Sequence, residues 1–216
     1  MREALAEAGC VLCGVSVSRR AFGVPRTPAG RTGRLDVVFA GAGGNGGGVL
    51  ACARHLANRG VPVTVVLNCK PAALSGAMAT QYGVVERMDL PVRVATLGST
   101  SVTDAVAVDA LVGYGLTEAL RGTAAELAAD CNDAATVVSL DVPTGVNATT
   151  GEIPGPAVEA DRTLTLALPK TGLEPAAGDL LLGDIAVPPV VYEELDIPYR
   201  RPFDGYVVSI ESVEGR

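Results

Sequence analysis

The chain has no tryptophan, only three phenylalanines, and a single histidine, His55, in 216 residues. A core so poor in rings is built from Ala, Val and Leu, and small residues where helix meets strand suit α/β architecture better than a β-sandwich. Positive charge is scarce as well. A formal net charge of −7 and a pI near 4.8 exclude a general affinity for phosphate backbones, which needs clustered Lys and Arg. Arg19, Arg20, Arg26, Arg31 and Arg34 are a local exception and read as a solvated connection. No nucleic-acid partner is expected. No apolar run has the length of a secretory or membrane segment, and Glu3 and Glu7 stand among the first residues, so no membrane partner and a cytoplasmic location are expected. The five cysteines, Cys10, Cys13, Cys52, Cys69 and Cys131, are odd in number and lie in apolar surroundings, as free thiols in a reducing compartment do. Cys10 and Cys13 have the spacing of half a metal site, but no second pair exists and one histidine cannot replace it, which excludes zinc.

Glycine is what the chain has most conspicuously, 26 residues of it, much of it placed between apolar runs. Met1 to Gly14 has helical spacing and precedes a Pro/Gly break at residues 24–30. Strand signals follow at Asp36 to Ala40, Val63 to Leu67, Val92 to Thr96, Val106 to Val112 and Val137 to Asp141. They alternate with helical stretches at Gly47 to Asn58, Pro71 to Gln81 and Thr117 to Asp130, the last with Thr117 placed as its cap. Arg162 to Leu168 and Leu181 to Val187 read as further strands. This rhythm predicts one Rossmann-like domain over 1–216: a mostly parallel, doubly wound sheet in a three-layer α/β/α sandwich. It divides into an N-terminal helix and loop (1–35), a core (36–188) and a C-terminal extension (189–216).

Three stretches carry chemistry. Gly41-Ala-Gly43-Gly-Asn45-Gly46-Gly47-Gly48 joins the first strand to a helix and satisfies G-x-G-x-x-G, so a phosphate can rest on its amides. A tight turn needed only for packing would read the same way. An ordinary nicotinamide dehydrogenase has an acid after its second strand; here Leu67 is followed by Asn68, which weakens that reading. Asn45 offers a side-chain carbonyl for a cation, or tolerates a left-handed backbone. Asp109 lies inside the apolar run before a second glycine loop, Val112-Gly113-Tyr114-Gly115-Leu116, where a buried carboxylate needs a partner. Asp141 ends the run Thr136 to Leu140 and enters the turn Val-Pro-Thr-Gly. Ligands of open α/β sheets collect at such strand ends, which makes Asp141 the leading acid/base candidate, with a turn-capping role as the alternative. Asp161 reads as a structural pairing or cap. Lys170, in Ala-Leu-Pro-Lys-Thr-Gly, could reach a substrate but reads equally as part of a surface turn.

Taken together, Gly41 to Gly48, Asp109 to Leu116 with Arg121-Gly122, Asp141 to Gly151 and Asp161 to Gly172 resemble the YjeF N-terminal domain family, which includes the NAD(P)H-hydrate epimerases. The resemblance covers Asp36 to Pro188. It implies a Rossmann-like fold and an isomerase that interconverts the R and S epimers of hydrated NADH and NADPH in nicotinamide-cofactor repair. A homodimer and functional coupling to a separate NAD(P)H-hydrate dehydratase are also implied. Asp141 matches the catalytic aspartate. Asn45, Gly46, Gly47, Gly113, Gly115, Leu116 and Asp141 match positions that bind the substrate. Asn45, Asp109 and Thr144 match positions that hold a potassium ion, with Thr144 replacing a usual Ser. The family's Gly-Pro-Gly-Asn-Asn-Gly-Gly-Asp-Gly loop is altered here at Ala42, Gly44, Gly48 and Val49, which removes two polar side chains and brings in a bulkier residue that could crowd the substrate. An epimerase of impaired activity, or a noncatalytic module that binds a nucleotide derivative or mediates dimerisation, is the expectation those changes add.

Overall fold

The computed structural model describes residues 36–95, 102–173 and 177–210. The expected N-terminal helix and its loop lie outside them. The elements are β1 (Asp36–Ala40), α1 (Gly44–Ala57), β2 (Val63–Leu67), α2 (Gly76–Arg87), β3 (Val92–Val94), β4 (Val106–Ala110), α3 (Thr123–Asn132), β5 (Thr136–Leu140), β6 (Arg162–Leu166), β7 (Asp179–Gly183), α4 (Pro189–Glu194) and β8 (Val207–Ser209).

Strands β1 and β2 are buried at every position, which is why they read as unbroken apolar runs. Alternate residues feed two cores. Val38 and Ala40 pack with Val49, Leu50 and Ala53 of α1 and with Val85 of α2, whereas Val37 and Phe39 pack with Leu127 and Ala128 of α3. Helices therefore cover both faces of one eight-stranded sheet of order β3-β2-β1-β4-β5-β6-β7-β8. All pairings are parallel except the last, where β8 runs antiparallel along β7, so part of the C-terminal extension belongs to the sheet. The fold expected from the strand and helix rhythm is the one observed. Successive elements depart from β1 in opposite directions, to β2 on one side and β4 on the other, and this switch point opens a crevice at the carboxyl ends of the strands.

All three expected helices start elsewhere than the sequence suggested, the first at Gly44 rather than Gly47 and the second running on to Arg87. Pro71–Ala73 forms a separate 3₁₀ turn, and α2 starts only at Gly76, because the residues between are extended. Thr117 caps no helix: α3 begins at Thr123 after Gly122, whose φ of 55° breaks the backbone, and residues 117–122 continue the second glycine loop. Leu120 anchors that extension in the core.

The first glycine loop is pressed against its surroundings. A Cβ on Gly46 would lie 1.8 Å from the carbonyl oxygen of Gly41, and one on Gly41 would lie 1.9 Å from that of Leu111. Packing alone thus demands glycine at both places. Gly83, inside α2, would meet only the mobile end of Arg87 at 3.5 Å. Urea unfolding should show Gly46→Ala destabilised by about 3 kcal/mol through overpacking. Gly83→Ala should be stabilised by about 0.5–1 kcal/mol, the cost of glycine inside a helix.

Candidate active site

Four neighbouring loops line the carboxyl edge of the sheet from the switch point outward, those leaving β1, β4, β5 and β6. Asp109, near the end of β4, is fully buried, and its carboxylate receives four hydrogen bonds. Oδ1 accepts from the Leu111 amide (3.2 Å) and the Thr144 hydroxyl (2.7 Å). Oδ2 accepts from the Ser139 hydroxyl (2.8 Å) and the Thr144 amide (2.9 Å). Ser139 is a member of this network that the sequence did not single out. Burial pushes the Asp109 carboxyl above the usual carboxylate range, against the pull of these donors. The native state therefore holds this proton more tightly than the unfolded chain does. The resulting stabilisation is complete below the ordinary carboxylate value and is lost as pH rises through the raised one.

Thr144 links the two loops. Its hydroxyl oxygen accepts from the Val112 amide (2.9 Å) and stands 3.1 Å from the Val112 carbonyl oxygen. The hydroxyl proton serves one of two oxygens, that carbonyl or Asp109 Oδ1, and a proton on Asp109, favoured by its burial, serves the other approach. Asn45 sits in the first turn of α1, not in a left-handed backbone, and its Nδ2 donates to the Leu140 carbonyl (3.1 Å). Its side chain lies over Gly113, where a Cβ would fall 2.1 Å from Nδ2. Asp109 and Thr144 are in direct contact, and Asn45 lies beside Gly113, next in the chain to the Val112 that Thr144 bonds. One carboxylate with neutral oxygens suits a hard, weakly charged cation. No cluster of three or more His, Cys, Asp or Glu exists among the described residues, which sets this donor set apart from a transition-metal site.

Asp141 follows β5 directly, with φ at 68°, and the Val142 amide closes onto the Leu140 carbonyl at 2.9 Å. A bond spanning three residues around a positive φ is the geometry of a strained γ-turn, which costs a non-glycine residue roughly 1–3 kcal/mol. The Asp141 carboxylate caps none of its own turn. Oδ1 accepts instead from the Leu166 amide (3.2 Å) and from Lys170 Nζ. Oδ2 accepts no hydrogen bond among the described residues, and the largely buried Asp141 side chain keeps 11% of its surface exposed. Lys170 is half-buried, not a free surface group, and also donates to Thr165 Oγ1 (2.9 Å) and the Leu166 carbonyl (2.8 Å). Asp161, by contrast, lies at the other end of the strands, where Oδ2 accepts from the Val137 amide (2.7 Å) in the structural role its sequence suggested.

The glycine loops supply backbone. Helix α1 begins after Gly43 with no side-chain cap and no acid in its first turn, so its leading amides and dipole face the crevice uncompensated. Gly46 and Gly47 are buried in that first turn. Val49 does not crowd the loop as its sequence position suggested, because its side chain belongs to the core between sheet and helices. In the second loop Gly113 is half-buried, Gly115 is exposed with φ at 108°, and Leu116 leans on the core.

A doubly wound sheet with a held carboxylate and two glycine loops at its switch point defines a Rossmann-like α/β protein with a ligand site at the carboxyl edge. The chain belongs to a specific family of that class, described as YjeF-related protein N-terminus, whose profile matches residues 15–172. It is 42% identical over 188 residues to an NAD(P)H-hydrate epimerase of Dehalogenimonas lykanthroporepellens, covering 85% of this chain and 76% of that protein. It is 39% identical over 182 residues to a bifunctional NAD(P)H-hydrate repair enzyme Nnr of Hyperthermus butylicus, covering 79% of this chain but 34% of that protein. Its fold is similar to that in the crystal structure of yeast Ynu0 (YNL200c), with a TM-score of 0.74 at 22% identity, over 97% of this chain and 90% of that one.

The Thr144 linkage makes a direct prediction. In urea titrations Thr144→Val, which leaves the Val112 amide and Asp109 Oδ1 short of a partner, should lose about 3 kcal/mol. Thr144→Ser keeps the hydroxyl and should lose about 1 kcal/mol.

Proposed function

We propose that the protein is an NAD(P)H-hydrate epimerase, with Asp141 as its acid/base group. The observation that carries this reading is the Asp141 carboxylate at the carboxyl end of β5, fixed through Oδ1 from the β6 side and with no hydrogen bond to Oδ2 among the described residues, one strand away from the second glycine loop after β4. The relatives named as epimerases support the same reaction.

In the substrate the hydroxyl-bearing ring carbon, C6, is bonded to the ring nitrogen. Asp141 takes the hydroxyl proton as the C6–N bond breaks. The carbon becomes an aldehyde, and the nitrogen receives the proton from Asp141. Rotation about the neighbouring C–C bond turns the other face of the aldehyde toward the nitrogen. Closure then reverses each transfer: Asp141 removes the N–H proton, the nitrogen re-forms its bond to C6, and the oxygen regains a proton. One carboxylate serves both directions, and nothing is consumed. General acid/base assistance of this type is worth roughly 10² to 10⁴ in rate. Amides at the start of α1, Gly46 included, and those of Gly113, Gly115 and Leu116 hold the dinucleotide's phosphates, while Gly47 lines the site with its amide already taken by the Gly43 carbonyl (3.3 Å).

Asn45, Asp109 and Thr144 would hold a potassium ion. When bound, that ion offsets the buried carboxylate and fixes the two loops against each other. The bifunctional relatives support coupling to a second repair activity, which the family resemblance identifies as the dehydratase. The binding-module alternative has less to recommend it, since a carboxylate held by a bracket from the neighbouring strand serves chemistry better than docking.

Conversion of R-NADHX to its S epimer, followed by chromatography in potassium buffer, should be accelerated by the protein. Asp141→Asn, which tolerates the left-handed backbone, should fold normally and lose about 10²-fold or more of that acceleration. Full activity in this variant would remove Asp141 from the assignment. In a separate measurement, replacing choline with potassium should raise Tm, by the equivalent of about 2.7 kcal/mol at one hundred times Kd. Asn45→Ala should abolish the rise; an equal rise in the variant would place the ion elsewhere.

A further inference from the structure

The strands β5 and β6 end alike. Leu140-Asp141-Val142-Pro143 and Leu166-Ala167-Leu168-Pro169 each turn about a residue with positive φ, 68° at Asp141 and 64° at Ala167. In each, an amide closes onto the carbonyl two residues back, at 2.9 Å for Val142 and 2.8 Å for Leu168. The two strands are parallel neighbours, with Leu140 beside Leu164. The second turn therefore lies against the first. It carries Lys170 back over the end of β6, where Nζ reaches the Leu166 carbonyl, the Thr165 hydroxyl and Asp141 Oδ1.

An ammonium group has three N–H donors, and these three acceptors engage all of them. Lys170 is left with no donor for a substrate. Asp141 Oδ1 is likewise fully committed, to Lys170 and to the Leu166 amide. Only Oδ2 is open. Resting on the epimerase reading above, we infer that Lys170 is a positioning residue. It belongs to a bracket built by the end of β6 that locks Asp141 through Oδ1, so that Oδ2 alone meets the substrate's hydroxyl. Neither Lys170 nor Thr165 touches the reacting atoms. The bracket fixes the rotation of the carboxylate, which neither the γ-turn nor the strand can do, because both act on the backbone.

The test is steady-state kinetics of R-NADHX epimerisation for Lys170→Met and Lys170→Gln, with thermal melting to establish that each is folded. Gln keeps a polar end, and it carries the test if Met at this half-buried site does not fold. A loosened carboxylate should reduce kcat by about 10²-fold, the scale of a small misplacement of a catalytic group, while KM changes by less than about threefold. Asp141→Asn combined with either variant should be no slower than Asp141→Asn alone, since Lys170 acts only through Asp141. A rise in KM with kcat intact would overturn the inference by showing direct substrate contact, as would full kcat in the folded variants. These outcomes leave the epimerase reading in place, provided the wild type accelerates and Asp141→Asn does not. No acceleration by the wild type would overturn both.

Discussion

A carboxylate fully removed from water has to be satisfied by its neighbours, and in this protein that requirement organises the whole carboxyl edge of the sheet. Asp109 draws in the amide of Leu111, the hydroxyl of Ser139, and both amide and hydroxyl of Thr144. Those donors come from the second glycine loop, from β5 and from the turn that follows it. Thr144 stands three residues past Asp141, so anchoring it on Asp109 also fixes where the strained turn can go. The catalytic candidate is thus placed by a buried acid that does no chemistry itself.

The same logic assigns unlike tasks to the two acids. Asp109 is closed off and each of its oxygens accepts two hydrogen bonds, which suits a structural role. Asp141 is held at one oxygen and open at the other, which suits proton transfer. The glycine loops fit around this division. Gly46 and Gly113 are small because Gly41 and Asn45 already occupy the space a side chain would need. The packing and ligand-binding accounts of the first loop are therefore compatible: close approach of backbones at the switch point leaves amides facing the crevice. The described residues contain no helix long and apolar enough to cross a membrane, in keeping with a sheet covered by short helices.

Much of this was legible in the sequence where the signal is local. Continuous apolar runs marked β1, β2 and β5 because both faces of those strands are buried, and Asp109 and Asp141 stood out as acids at or inside such runs. The proposed cation donors were legible as a set only through the family resemblance, since residues 45, 109 and 144 carry no shared local pattern and Asn45 alone was read as a possible cation ligand. Lys170 was passed over for a physical reason. Pro-Lys-Thr-Gly has the composition of a surface turn, and the acid that binds its ammonium lies on another strand, 29 residues away. Thr117 misled in the opposite direction, since a good cap residue before an Ala-rich stretch cannot start a helix while Gly115 and Gly122 keep the backbone turning. Val49 looked like an obstruction in the loop until the helix rotated it into the core.

The central claim is geometric: the reacting carbon lies against the open oxygen of Asp141. A crystal structure of Asp141→Asn soaked with R-NADHX tests it most directly, because the slowed variant should hold the substrate unconverted. The account predicts the C6 hydroxyl within about 3.2 Å of the side chain at position 141, on the side away from Lys170, with the phosphates at the glycine loops. A hydrated ring bound away from that carboxyl group, or a dinucleotide at the opposite edge of the sheet, would contradict it.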